Sequence, residues 1–124
     1  FNVVTGPEGD AHAILIRAIE PLAGFEIMQE RRNMSTTKND LTNGPGKLAV
    51  ALGITKEMNG ALLYEKESTI YIKSGNIDVE EKDIASGPRV GMSVHVGPCA
   101  HRPWRFYIKD NPWVSKPLVV NYKW

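Results

Sequence analysis

The stretch Ala13 to Glu20 is apolar on both faces of an extended chain, because Ile14, Ile16 and Ala18 alternate with Leu15, Arg17 and Ile19. A strand of that kind needs cover on both sides, which predicts an interior strand of a sheet. Arg17 is the exception within it. A permanently charged guanidinium among such neighbours either finds partners or stays solvated at a cleft, since burying it alone costs too much. Two readings stay open: a structural ion pair with Glu20 or Asp10, or a charged group at a site.

The elements that follow are short and closely punctuated. Pro21 stands where a helix would start, Leu22, Phe25 and Met28 recur at helical spacing, and Arg31 and Arg32 suit the negative end of its dipole. Asn33 to Thr42 is polar and reads as a surface loop. Asn43-Gly44-Pro45 opens a second helix with Pro in its first turn, a buried stripe of Leu48, Ala51 and Leu52, and Gly53 as its cap. Asn59-Gly60 marks a tight turn, and Thr69 to Lys73, Arg89 to Val96 and Trp104 to Lys109 read as strands. The chain is thus expected to be a single mixed α/β domain over residues 1–124, with a curved, mostly antiparallel sheet or open barrel and short edge helices.

Bulk properties narrow the function less. Fifteen Lys plus Arg stand against 14 Asp plus Glu, so any surface for nucleic acid must come from local clustering. The single cysteine, Cys99, has no internal disulfide partner, and the three histidines, His12, His95 and His101, lack metal-ligand spacing. No metal or other cofactor is expected. No apolar run reaches the roughly 20 residues that span a bilayer, so a soluble chain with no membrane partner is expected. Phe1-Asn2-Val3-Val4 reads as a strand already under way without an initiating Met, which suggests a fragment.

The opening of the second helix carries the clearest chemistry. Free N–H groups and the positive end of the dipole favour an anion there, and Gly44 and Gly46 permit close backbone approach. Lys47 in that first turn opposes the dipole by roughly 0.3–1 kcal/mol, a cost easier to understand if an anion binds nearby. A capping turn with an incidental lysine is the competing reading. Trp104, Phe106 and Ile108 alternate with Arg105, Tyr107 and Lys109, a stripe that reads as core ahead of a base-stacking platform. His95 reads as a half-exposed strand residue, and Cys99 has no evident base partner.

Taken in order, Phe1-Asn2, Leu15-Ile16-Arg17-Ala18-Ile19-Glu20-Pro21, Asn43-Gly44-Pro45-Gly46-Lys47-Leu48, Arg89-Val90-Gly91, Pro103-Trp104-Arg105-Phe106-Tyr107 and Pro112-Trp113-Val114-Ser115 resemble consecutive landmarks of the alkyladenine (methylpurine) DNA glycosylase family. The resemblance covers Phe1 to about Ser115. It implies an enzyme of base-excision repair that flips an alkylated or deaminated purine from double-stranded DNA and hydrolyses its N-glycosidic bond with water, as a monofunctional enzyme and a monomer. The implied compartment is the bacterial cytoplasm and nucleoid, or the nucleus of a eukaryote. By resemblance, Asn2 lies beside the purine edge, Leu15 lines the base pocket, and Arg17 with the main-chain carbonyl of Val90 holds the attacking water. Gly44, Gly46, Lys47 and Lys56 are the implied contacts to DNA phosphate. The family's general-base glutamate, base-sandwiching residues and tyrosine wedge are expected in a segment before Phe1, so the 124 residues alone are expected to be inactive. A non-catalytic nucleic-acid-binding module and a formyltransferase-like barrel are the rival readings.

Overall fold

The computed structural model describes residues 1–36, 38–75, 77–92 and 94–115. Thr37, in the expected loop, and Ser93, in the expected strand from Arg89, lie outside the described residues. The chain divides into two compact units, Phe1–Gly75 and Asn76–Trp124. Helices and antiparallel strands are both present, which makes the fold mixed α/β, and the strands form two ribbons of two. No helix among the described residues is long and apolar enough to cross a membrane.

In Phe1–Gly75, β1 (Asn2–Val4) pairs antiparallel with β2 (Ala13–Leu15). The extended run is shorter than its pattern suggests. The Ile16 N–H still donates to the Phe1 carbonyl (3.1 Å), but three residues on the Ile19 N–H bonds the Thr42 carbonyl (3.4 Å), so the chain has left the ladder for Thr42. Arg17 therefore lies beyond the strand. Nor is β2 an interior strand among the described residues: it has β1 as its one neighbour there, and Ile14 is 57% exposed.

Two helices form the core of this unit. The first, α1 (Phe25–Arg32), starts four residues after Pro21, since Gly24 takes a left-handed conformation (φ 76°) that cannot sit inside a helix. Leu22 is consequently outside it and 82% exposed, whereas Met28 is buried. The second, α2 (Pro45–Leu52), matches its sequence signals: Gly44 precedes it in an extended conformation, Pro45 takes the first turn, and Gly53 (φ 69°) ends it. Leu48 and Ala51 are fully buried between α2, α1 and the 3-10 turn Asn39–Leu41. Leu41 and Thr42 are buried too, which corrects the reading of Asn33 to Thr42 as surface loop at its last two residues, while 33–36 and 38–40 are exposed or half-buried. Burial of Thr42 is tolerable because its hydroxyl donates to the Ile19 carbonyl at 2.7 Å.

The arginines at the end of α1 do more than face its dipole. Arg31 Nη1 donates to the Ala51 carbonyl (3.2 Å), and Arg32 donates to the carbonyls of Leu41 (3.2 Å) and Asp40 (3.4 Å). A Cβ added to Gly53 would fall 2.8 Å from Arg31 Cζ. Gly53→Ala should therefore cost about 2–3 kcal/mol, combining the left-handed penalty with the displaced Arg31 bond. Gly46→Ala, where a Cβ meets nothing within 4 Å, should be neutral or slightly stabilising. Urea denaturation of the two variants checks the contrast.

In Asn76–Trp124, β3 (Ile84–Gly87) pairs antiparallel with β4 (Arg105–Ile108), in the register Ile84↔Ile108 to Gly87↔Arg105. The expected strand Trp104 to Lys109 is present as β4. The other two are not. Among the described residues Thr69 to Lys73 makes one backbone bond, from Ile72 N–H to the Leu63 carbonyl (2.7 Å), and has no partner strand. Arg89 to Val96 is broken by Gly91 (φ 77°) and passes into the 3-10 segment Val94–Ala100, where His95 is exposed on a turn. The apolar stripe of β4 faces outward, with Trp104 50%, Phe106 59% and Ile108 42% exposed, while Arg105 is buried. Its guanidinium stacks 4.8 Å from the Tyr107 ring centroid and donates from Nη2 to the Ser115 carbonyl at 2.7 Å, contacts that offset part of the cost of taking the charge out of water.

Candidate functional site

The predicted base-contact residues are neighbours. Asn2 and Leu15 are directly paired across the β1–β2 ladder, so their side chains share one face of the ribbon. Both are exposed. Asn2 also lines an open cleft of about 1110 Å³ within this unit, together with Val3, Ile54, Lys56, Leu63 and Ile72. Mostly apolar walls with a few polar groups are the ordinary composition of a site for a flat organic ligand. Lys56 opens the 3-10 turn Lys56–Met58 on the rim of the cleft, and among the described residues it has no ion pair.

Arg17 is half-buried, and among the described residues its guanidinium makes no hydrogen bond and no ion pair with Glu20 or Asp10. The structural ion pair weighed from sequence is thus not formed. Its segment is anchored two residues on, where Ile19 and Thr42 exchange two hydrogen bonds beside the entrance to α2. The chain thereby ties the Arg17 segment to the helix opening. Val90 belongs to the other unit and sits in the turn with Gly91; no described residue donates a backbone hydrogen bond to its carbonyl.

At the helix opening, Lys47 Nζ lies 3.0 Å from Asn43 Oδ1 and 3.5 Å from Asp40 Oδ2. The negative charge that makes a lysine tolerable at a positive helix end is therefore already present, supplied by Asp40. That partner was missed in the sequence because Asp40 precedes the helix, in a segment with no helical spacing to signal it; Asn43, four residues before Lys47, carried such a signal. Gly44 and Gly46 are not required by the fold. Gly44 has an ordinary extended conformation (φ −158°), and a Cβ on it would make only van der Waals contact with Lys47; one on Gly46 would meet open space.

Comparison with known proteins gives this arrangement its context. A family model described as methylpurine-DNA glycosylase matches residues 1–112. The chain belongs to the methylpurine-DNA glycosylase family. It is 47% identical over 116 residues to a Francisella tularensis protein named as a candidate 3-methyladenine DNA glycosylase, a match covering 94% of this chain and 58% of that protein. It is 40% identical over 117 residues to the DNA-3-methyladenine glycosylase of Arabidopsis thaliana, covering 94% of this chain and 45% of that protein. A Clostridium tetani relative, also named as a candidate 3-methyladenine DNA glycosylase, is 44% identical over 123 residues, with 59% of its length covered. The chain thus spans about half the length of the curated relatives it matches. DNA glycosylase and DNA repair are the functions that the family and its named members carry.

Proposed function

We propose that this chain forms part of a monofunctional glycosylase that flips an alkylated or deaminated purine from duplex DNA and hydrolyses the bond to its sugar with water. In this reading Phe1–Gly75 and Asn76–Trp124 serve one functional domain. Asn2 and Leu15 meet the flipped base, with Asn2 turning away undamaged guanine at its exocyclic amine. Arg17 holds the nucleophilic water, which lowers the barrier by fixing the reacting geometry in advance, and a main-chain contact to water is assigned to Val90 by family resemblance alone. The general base is assigned to residues outside these 124, so the chain alone binds damaged duplex without cleaving it; loss of a general base costs typically 10²–10⁴-fold.

Family membership supports the chemistry, and one structural observation carries the DNA contact: the opening of α2 holds two glycines that neither backbone conformation nor packing demands, beside a lysine. Residues without side chains, exposed N–H groups and a cation together suit a phosphate oxygen. Lys47→Ala and Lys56→Ala should each weaken duplex binding irrespective of sequence and reduce the salt slope of log Kobs by about 1. A salt titration with unchanged slopes for both variants would remove the phosphate assignment.

A further inference from the structure

We propose that Asp40 is a charge gate on Lys47: in the DNA-free chain its carboxylate occupies the ammonium, and duplex binding must displace it. The inference rests on the reading of Lys47 as a phosphate contact. The carboxylate is held in place rather than left to drift. Arg32 donates to the Asp40 and Leu41 carbonyls, and Thr42, two residues on, is fully buried and bonded to Ile19, so the backbone around Asp40 is fixed from two sides. One carboxylate oxygen, Oδ1, is closed to solvent with no hydrogen-bond partner, while Oδ2 faces Lys47 at 3.5 Å. A carboxylate with one oxygen unsatisfied is poorly solvated, and the cation beside it is its chief compensation.

Both side chains keep about half of their surface exposed (41% for Lys47 and 49% for Asp40), so a phosphate oxygen can reach Nζ without rearranging the core. When it does, Asp40 loses its partner and faces a second negative charge. Duplex binding through Lys47 is thereby held down irrespective of sequence, without Asp40 touching the base. Lys56, with no such carboxylate among the described residues, is ungated. Asn43 remains to hold Nζ at 3.0 Å when Asp40 is changed, so removal of the gate leaves the lysine in position.

The test is a mutant cycle on this chain with a short undamaged DNA duplex, read as affinity across a salt series. Asp40→Asn should tighten binding about two- to fivefold at low salt, the range expected of a half-exposed ion pair, and the gain should fade as salt screens the pair. In a Lys47→Met background the same substitution should change nothing. Asp40→Ala, run in parallel, should behave like Asp40→Asn, and far-UV circular dichroism confirms that each variant is folded. An equal gain in both backgrounds would reduce Asp40 to a general repulsive charge and overturn the gate, as would weaker binding by Asp40→Asn. If Lys47→Met itself left affinity and salt slope unaltered, the phosphate reading and the gate would fall together.

Discussion

Arg17→Ala, placed in a protein carrying the whole family domain, is expected to slow single-turnover release of hypoxanthine from duplex DNA by roughly 10²-fold, the scale of a mispositioned reactant. Duplex affinity should stay within about twofold, since the phosphate contacts proposed for Lys47 and Lys56 are at other residues. Stability should stay within about 0.5 kcal/mol. This last expectation comes directly from geometry: among the described residues the guanidinium has no carboxylate to strand. Had it been half of a buried ion pair, its removal would have cost about 3–5 kcal/mol. Rapid-quench kinetics and denaturant melts on one preparation separate the two cases. A variant that cleaves normally but melts early would make Arg17 structural.

Leu48→Ala should be the most damaging conservative change in Phe1–Gly75. Leu48 is fully buried where α2 meets α1 and the Asn39–Leu41 turn, and truncating such a leucine typically costs about 3–5 kcal/mol through lost burial and the cavity left behind. That is a large share of the roughly 5–15 kcal/mol by which domains are stable. The opening of α2 would go with it, so duplex binding should fall in parallel with the urea midpoint. Val50→Ala, on the same helix but 49% exposed, should cost less than about 1 kcal/mol. Equal losses for the two would mean that α2 does not pack as described.

What could be read in advance follows from where each signal resides. The limits of α2 were legible because Pro45 and Gly53 act locally, through a missing N–H and a left-handed cap. β4 was legible from its alternation. The exposure of that alternation was not: Arg105 is buried because the Tyr107 ring and the Ser115 carbonyl receive it, and periodicity carries no record of such partners. β3 was missed because Ala85, Ser86 and Gly87 look like a turn until β4 supplies the ladder. At the proposed site, Lys47 was singled out from its place in the first turn of the helix, whereas Asp40, its ion-pair partner across the helix entrance, is set by the packing of the preceding turn. The residues assigned to DNA by resemblance are named from the sequence alone; the carboxylate beside Lys47 required three-dimensional placement.

The division of the chain at Gly75 also sorts its chromophores. All three tryptophans, Trp104, Trp113 and Trp124, fall in Asn76–Trp124, and none in the unit that carries Asn2, Arg17, Lys47 and Lys56. Trp104 is half-exposed between two guanidiniums, Arg102 at 4.9 Å and Arg89 at 5.4 Å from its ring centroid, so its emission is sensitive to local charge and hydration. Indole fluorescence therefore originates wholly in Asn76–Trp124, and the phenol chromophores of Phe1–Gly75 are Tyr64 and Tyr71. A tryptophan introduced at Tyr64, an exposed aromatic of the unit that has no tryptophan, would give Phe1–Gly75 an indole of its own.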